Sequence, residues 1–347
     1  MKSLIVDAEG NLSVREISKP QYGEYQALVR MVSCGICRGT DTKLIHREFK
    51  GFVAYPAALG HEGVGRVVEL GEKTRYLKKG DLVLLPFLEK ETDGVFPGWG
   101  AFSELAVVAD SRAMLEDGKG PGDPAFSEAY YAQQVLPADI DVVSAPMIVT
   151  FREVLSACHR FGFRPNASLI VYGAGPVGLS FLKFAKLLGL GPIIASVTSD
   201  AKVEEALTTG ADYAFNSRSC DIVAEVRRIC QGGVDFAVDA VGKTDIINQS
   251  MELLAPYGHI GVYGISPNTS MALDWSKAPY NWHLDFIQWP SKLEEAESYR
   301  QVMNWIELGV LNPREFVSSV FGFDRIQEAF EQAEQGSGLK KTIITFD

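Results

Sequence analysis

Two cysteines stand three positions apart in SCGICRGTDTKL, residues 33–44, in a chain that holds five cysteines in all. A zinc ribbon needs a second pair of this kind, and a disulfide scaffold needs a shorter and richer chain. Neither is here. Downstream, LGHEGVGRVVELG sets His61 and Glu62 between two glycines at the mouth of a strand. A lone His-Glu is more often a surface pair than a ligand pair. Together with Cys37 it offers a soft thiolate, an imidazole and a carboxylate, which is the donor chemistry of a zinc site.

A second stretch with chemistry in it is VYGAGPVGLSFLKFAKLLG, where Gly173, Gly175 and Gly178 fall in G-x-G-x-x-G spacing between an apolar strand and an amphipathic helix. The string alone is weak, because glycines cluster in many turns; the strand before it and the helix after it raise its meaning. Gly173 allows the tight turn, Gly175 lets the backbone approach a pyrophosphate, and Gly178 lets helix and strand pack closely, with Pro176 and Val177 completing a cofactor-binding loop. The plain alternative is a strand-to-helix turn with no ligand. An NAD-specific site places Asp or Glu about twenty residues on, at the end of the second strand. In PIIASVTSDAKVEEA that stretch holds Val197, Thr198 and Ser199, and Asp200 comes late. Thr198 and Ser199 with Lys202 nearby suit a 2′-phosphate, which favours NADP(H) over NAD(H); otherwise Ser199 is merely a helix N-cap.

The elements that must position these residues change character along the chain. Its 347 residues, 46% hydrophobic, can bury more than one core, so two domains are expected. Up to about residue 110, short strand-like runs such as ALVRMVSCGI, EGVGRVVELG and DLVLLPF are broken by Gly, Pro and Asp. MKSLIVDAEGNLSV opens as a strand pair turning at Glu9-Gly10-Asn11, and residues 111–136 read as an irregular surface excursion. From about 147, helical MIVTFREVLSACHRFG leads into alternating strand-like and helix-like segments, the pattern of a parallel sheet covered by helices on both faces. Two helices and a closing strand KTIITF end it. The formal net charge of −11 carries no basic block, which argues against nucleic acid. The longest apolar runs stop short of a membrane span, the opening is too polar for a signal peptide, and few scattered cysteines fit a reducing, cytoplasmic setting.

With GICRGTD, YPAALGHEGVGRVVELG, KKGDLVL, GAFSELAVV, GAGPVGL, GVYGI and DRIQEAFEQAEQGSGLKKTIITF spread over nearly its whole length, the chain resembles the medium-chain dehydrogenase/reductase superfamily, in its zinc-dependent alcohol and polyol dehydrogenase branch. The resemblance implies α/β plus β: a GroES-like β-barrel catalytic domain (1–148, with a return at 296–347) and a Rossmann doubly wound parallel-sheet cofactor domain (149–295), with the active site in the cleft between them. In the family's G-I-C motif the second cysteine is the ligand, so Cys37 matches the zinc thiolate and Cys34 a small buried position. His61 matches the imidazole ligand, and Glu62 a carboxylate that binds zinc directly or from behind the ligands. Arg38 matches a position that reaches the cofactor pyrophosphate in some members, and Lys340 joins the expected cofactor contacts.

Three departures stand out. Cys37-Arg38-Gly39-Thr40-Asp41 is one residue longer than the common Cys-Gly-Ser/Thr-Asp, which shifts the register of Thr40 as proton-relay hydroxyl. Where polyol members carry a Glu-Pro before the first cofactor-domain helix, this chain has Val149 and Thr150, leaving Glu62, or at a stretch Glu153, as the third ligand. PFLEKETDGVFPGWGAF has no cysteines, so one catalytic zinc and no structural zinc is expected. The leading expectation is hydride transfer between a secondary alcohol, polyol or sugar-like, and its ketone, by a homodimer or homotetramer. The alternatives are a zinc-independent NADPH reductase of activated double bonds, and an inactive structural or sensor relative. Trp275, Trp282 and Trp289 are open between pocket, core and interface.

Overall fold

The structure is a computed structural model that describes residues 1–266, 268, 270–335 and 340–346; positions 336–339 of the closing motif lie outside it. Its backbone divides into one unit of Met1–Thr150 with Ser291–Asp347 and another of Phe151–Pro290. Helix Met147–Arg160 runs through the first division, and helix Lys292–Glu307 falls wholly after the second.

The first unit is built on a seven-stranded sheet. Its central strands, Gln26–Ile36 and Glu62–Leu70, pair antiparallel. The closing strand Lys341–Thr345 pairs antiparallel with the far end of Gln26–Ile36, putting Ile344 opposite Cys34 and Ile343 opposite Gly35. A smaller sheet carries Lys2–Val6 beside Leu12–Glu16, turning at Gly10 with a left-handed φ of 92°. Leu4 and Met31 from the two sheets, with Leu59 and Phe102 from the segments beside them, share a core with the helix Ile326–Glu334. The stretch 111–136 is more ordered than its composition suggested. Ser111–Glu116 is a helix capped by Asp110, whose carboxylate accepts from the Ala113 N–H at 3.0 Å.

The second unit holds six parallel strands in the order Tyr213–Asn216, Ile193–Val197, Leu169–Tyr172, Val234–Asp239, Leu254–Val262 and His283–Phe286. That is the 3-2-1-4-5-6 order of the doubly wound dinucleotide fold. Leu169–Tyr172 and Ile193–Val197 are buried at every position, which a sheet covered on both faces requires. The order reverses between Leu169–Tyr172 and Val234–Asp239, so the carboxyl ends of these strands are where this fold binds ligands. The last strand, His283–Phe286, was hidden in the aromatic run NWHLDF; Trp282 packs partly buried on the core of this unit, whereas Trp275 and Trp289 are exposed.

Candidate functional site

The first unit brings Cys37, His61 and Glu62 together, with one ligand atom from each lying within 4.8 Å of the others. Among the described residues this is the one group of three His, Cys, Asp or Glu side chains so placed. Cys37 follows the strand Gln26–Ile36, and the turn after it is tied by a single side chain. The Asp41 carboxylate accepts from the Cys37 N–H at 2.9 Å, while the Asp41 N–H donates to the Cys37 carbonyl at 2.8 Å. The other Asp41 oxygen faces His61 Nδ1 at 3.5 Å, a charge contact too long for a good hydrogen bond. Asp41 is fully buried and so orients two of the three donors.

Burial alone would disfavour a charged imidazole. The Asp41 carboxylate and the Cys37 sulfur outweigh it and hold His61 well above the usual imidazole range. A metal entering here must displace that proton. A thiolate, an imidazole and a carboxylate converging on one point fit a zinc ion.

Glu62 is also held from behind. Lys341 Nζ lies 2.6 Å from both of its carboxylate oxygens, and Thr150 Oγ1 donates to one of them at 3.1 Å. Glu62 and Lys341 are 2% and 3% exposed, so this is a buried ion pair. Gly35 leaves the room for it, because an added Cβ there would stand 2.5 Å from a Glu62 oxygen. Cys34 is fully buried beside the pair, and burial pushes its thiol well above the ordinary cysteine range. It is an inert packing residue, unlike half-buried Cys37.

Aromatic rings stand next to the donors. The Trp99 indole lies 5.4 Å from the His61 ring, centroid to centroid, and Phe49 meets Trp99 edge-on at 5.8 Å. Trp99 has a left-handed backbone, φ 67°, a conformation that costs a bulky residue about 1 kcal/mol or more.

In the second unit, Gly173 takes a φ of 100° and its N–H donates to the Ser196 carbonyl, turning the chain from strand into the helix Pro176–Leu187. A Cβ on Gly178 would overlap the Gly173 carbonyl oxygen, whereas a Cβ on Gly175 would meet nothing within 4 Å. The open space over Gly175, at a helix N-terminus, fits a pyrophosphate. Gly175→Ala should therefore melt like the wild type and bind a nicotinamide dinucleotide, NADH or NADPH, at least about tenfold more weakly by fluorescence titration. Unchanged affinity would remove this loop from the cofactor site.

Val197 is 2% exposed and is the last residue paired in its strand, opposite Asn216. An acid at that position would be buried, whereas Thr198 and Ser199 follow the last paired residue and are more exposed. Ser199 occupies the N-cap of the helix Asp200–Thr209, but its hydroxyl caps nothing. Lys202 is half-buried on that helix's first turn. Arg38 is exposed, and Thr40 is buried at the start of the short helix Asp41–Ile45. Lys340 is half-buried, and its neighbour Lys341 is the one that reaches Glu62. Val149 is fully buried and apolar.

Four residues that bear on these sites escaped the sequence reading: Asp41, Lys341, Trp99 and Arg218. Arg218 is exposed one turn beyond the strand Tyr213–Asn216, its N–H donating to Asn216 Oδ1, while Asn216 Nδ2 donates to Asp200. A cation beside the end of the second strand was a signal available in NSRSC.

Comparison with known proteins gives the family. Residues 23–116 match the alcohol dehydrogenase GroES-like domain and residues 176–305 the zinc-binding dehydrogenase domain. A probable alcohol dehydrogenase from Pseudomonas sp is 30% identical over 236 residues, 61% of this chain and 74% of that protein. The NADP-dependent isopropanol dehydrogenase of Thermoanaerobacter brockii is 27% identical over 347 residues, 95% of each. The crystal structure of an alcohol dehydrogenase zinc-binding domain protein from Burkholderia ambifaria has the same fold, with a TM-score of 0.81 at 22% identity, covering 100% of this chain and 98% of that one. The chain belongs to the zinc-type medium-chain dehydrogenase/reductase family.

Proposed function

We propose that this chain is a zinc-dependent dehydrogenase that interconverts a secondary alcohol and its ketone, with NADP(H) as hydride carrier. The observation that carries the reading is the convergence of Cys37, His61 and Glu62. Cys37, His61 and Glu62 would hold a zinc ion, which would supply Lewis-acid chemistry at the alcohol or ketone oxygen. Asp41 ties the Cys37 turn and faces the His61 ring, so two of the three donors are held near one another before metal binds. Lys341 and Thr150 hold the Glu62 carboxylate in the same position. Thr40, in the turn after Cys37, is the hydroxyl that passes the alcohol proton towards solvent. A metal-free reductase of activated double bonds has no use for a gathered thiolate, imidazole and carboxylate.

In this reading the second unit holds the cofactor pyrophosphate on Gly173, Gly175, Pro176, Val177 and Gly178. NADP(H) is supported by the lack of an acid at Thr198 and Ser199, by the uncommitted Ser199 hydroxyl and by Arg218 alongside Lys202. Asp200, the nearest carboxylate in sequence, is engaged by Asn216. The reading includes one zinc per chain, a homodimer or homotetramer and a cytoplasmic setting. Exposed Trp275, Tyr280, Phe286 and Trp289 around the outer strand support association, and five free cysteines support a reducing compartment. No helix among the described residues is long and apolar enough to cross a membrane.

Protein purified without chelator should carry about one zinc per chain by elemental analysis and reduce ketones with NADPH. Arg218→Ala should weaken NADPH binding about ten- to hundredfold, the worth of a charge-assisted phosphate contact, and leave NADH binding unchanged. Ketone reduction without bound metal, or a wild type that prefers NADH more than about tenfold, would overturn the zinc and the cofactor assignments respectively.

A further inference from the structure

Beside the donors, one wall of the first unit is aromatic, and its arrangement is specific. Trp99 sits between Gly98 and Gly100, where a Cβ would stand 2.8 Å from the Ala58 carbonyl oxygen and 2.6 Å from Leu88 Cγ respectively. The segment is thus pinned against its own sheet on both sides of Trp99, and the left-handed backbone at Trp99 swings the indole out towards His61. His61 is 8% exposed, whereas the indole beside it packs on the core of this unit and keeps part of its surface open to solvent. Phe49, from the loop after the helix Asp41–Ile45, meets its edge. Further along that loop Phe52 and Tyr55 pack edge to face at 5.3 Å, and the Tyr55 hydroxyl is spent on the Leu44 carbonyl at 2.7 Å.

Resting on the dehydrogenase reading above, we propose that Trp99 is a specificity-determining residue, and that the preferred substrates are secondary alcohols and ketones bearing an aryl or similarly bulky apolar group next to the reacting carbon. A molecule whose oxygen approaches the donors from solvent passes the indole. A flat apolar group gains ring contact and loses water there. A chain of hydroxyls placed against the same wall gives up its hydration and finds ring carbon in return, which selects against polyols and sugars.

The test is ketone reduction by the zinc-loaded enzyme on acetophenone, acetone and fructose. Wild type should favour acetophenone over acetone by at least about tenfold in kcat/KM and use fructose least. Trp99→Gly, which the left-handed backbone accepts, should lose about tenfold or more of the acetophenone-to-acetone ratio, chiefly through KM, with a thermal melt reporting the cost of removing the indole from the core it packs on. Trp99→Phe should restore most of the ratio. An unchanged ratio in Trp99→Gly, or a wild type that prefers fructose, overturns this inference and leaves the dehydrogenase standing. Failure to reduce any of the three overturns both.

Discussion

Cys37→Ser should leave the first unit folded but without metal, and kcat/KM for alcohol oxidation should fall by about a thousandfold or more. That is the rate equivalent of the several kcal/mol of charge stabilisation a Lewis acid supplies at the reacting oxygen. Cys34→Ser should do the reverse. Its hydroxyl would enter a fully buried position between Gly63 and Ile344, costing about 1–3 kcal/mol of stability while zinc and turnover are retained. Elemental analysis alongside thermal melts separates the two, with Cys34→Ala as a second packing variant. Comparable loss of activity in both cysteine variants, each still folded, would sink the assignment of Cys37 alone to the metal.

The second large effect is expected at Glu62. Glu62→Gln should lose zinc on dialysis, because two remaining donors are too few for a stable tetrahedral site. It should also lose about 3–5 kcal/mol of stability, because the Lys341 ammonium would stay buried without its anion. Lys341→Met should cost the metal-free protein a similar amount, yet retain zinc, since the freed carboxylate then has the metal as its counter-charge. Glu62→Gln combined with Lys341→Met should recover much of the stability while still failing to hold zinc. Full zinc occupancy in Glu62→Gln would place the third ligand elsewhere, with Glu153 the next candidate to mutate.

How legible these features were in the sequence depended on how local they are. The glycine loop is contiguous, and each of its three glycines has a distinct steric reason, so its string already described its geometry. Cys37 and His61-Glu62 lie in short motifs on neighbouring strands, and the donor set could be read from residue types alone. Lys341 could not. It meets Glu62 across 279 positions, and only the antiparallel register that sets Ile343 against Gly35 puts it there. Asp41 was obscured by the extra residue in Cys37-Arg38-Gly39-Thr40-Asp41, which made Thr40 the residue to weigh.

Elsewhere the period of the pattern itself carried no information. A parallel strand buried on both faces does not alternate, so IIASV offers no sign that Val197 is its last buried residue. The orientation of Trp99 follows from a positive φ, and nothing in GVFPGWGAF announces one at a tryptophan.

The order in which the chain is synthesised gives the closing strand a further significance. Cys37, His61 and Glu62 leave the ribosome early, and the whole of Phe151–Pro290 is made before Lys341 exists. At about 5–20 residues per second, the 279 positions between Glu62 and Lys341 take roughly 14–56 seconds. For that interval the far end of the strand Gln26–Ile36 has an open edge where Lys341–Thr345 will pair, and an open edge is a template for pairing with another chain. The Glu62 carboxylate meanwhile has no ammonium beside it. Until its lysine arrives, that carboxylate must stay hydrated, so the buried pair forms only when the closing strand docks.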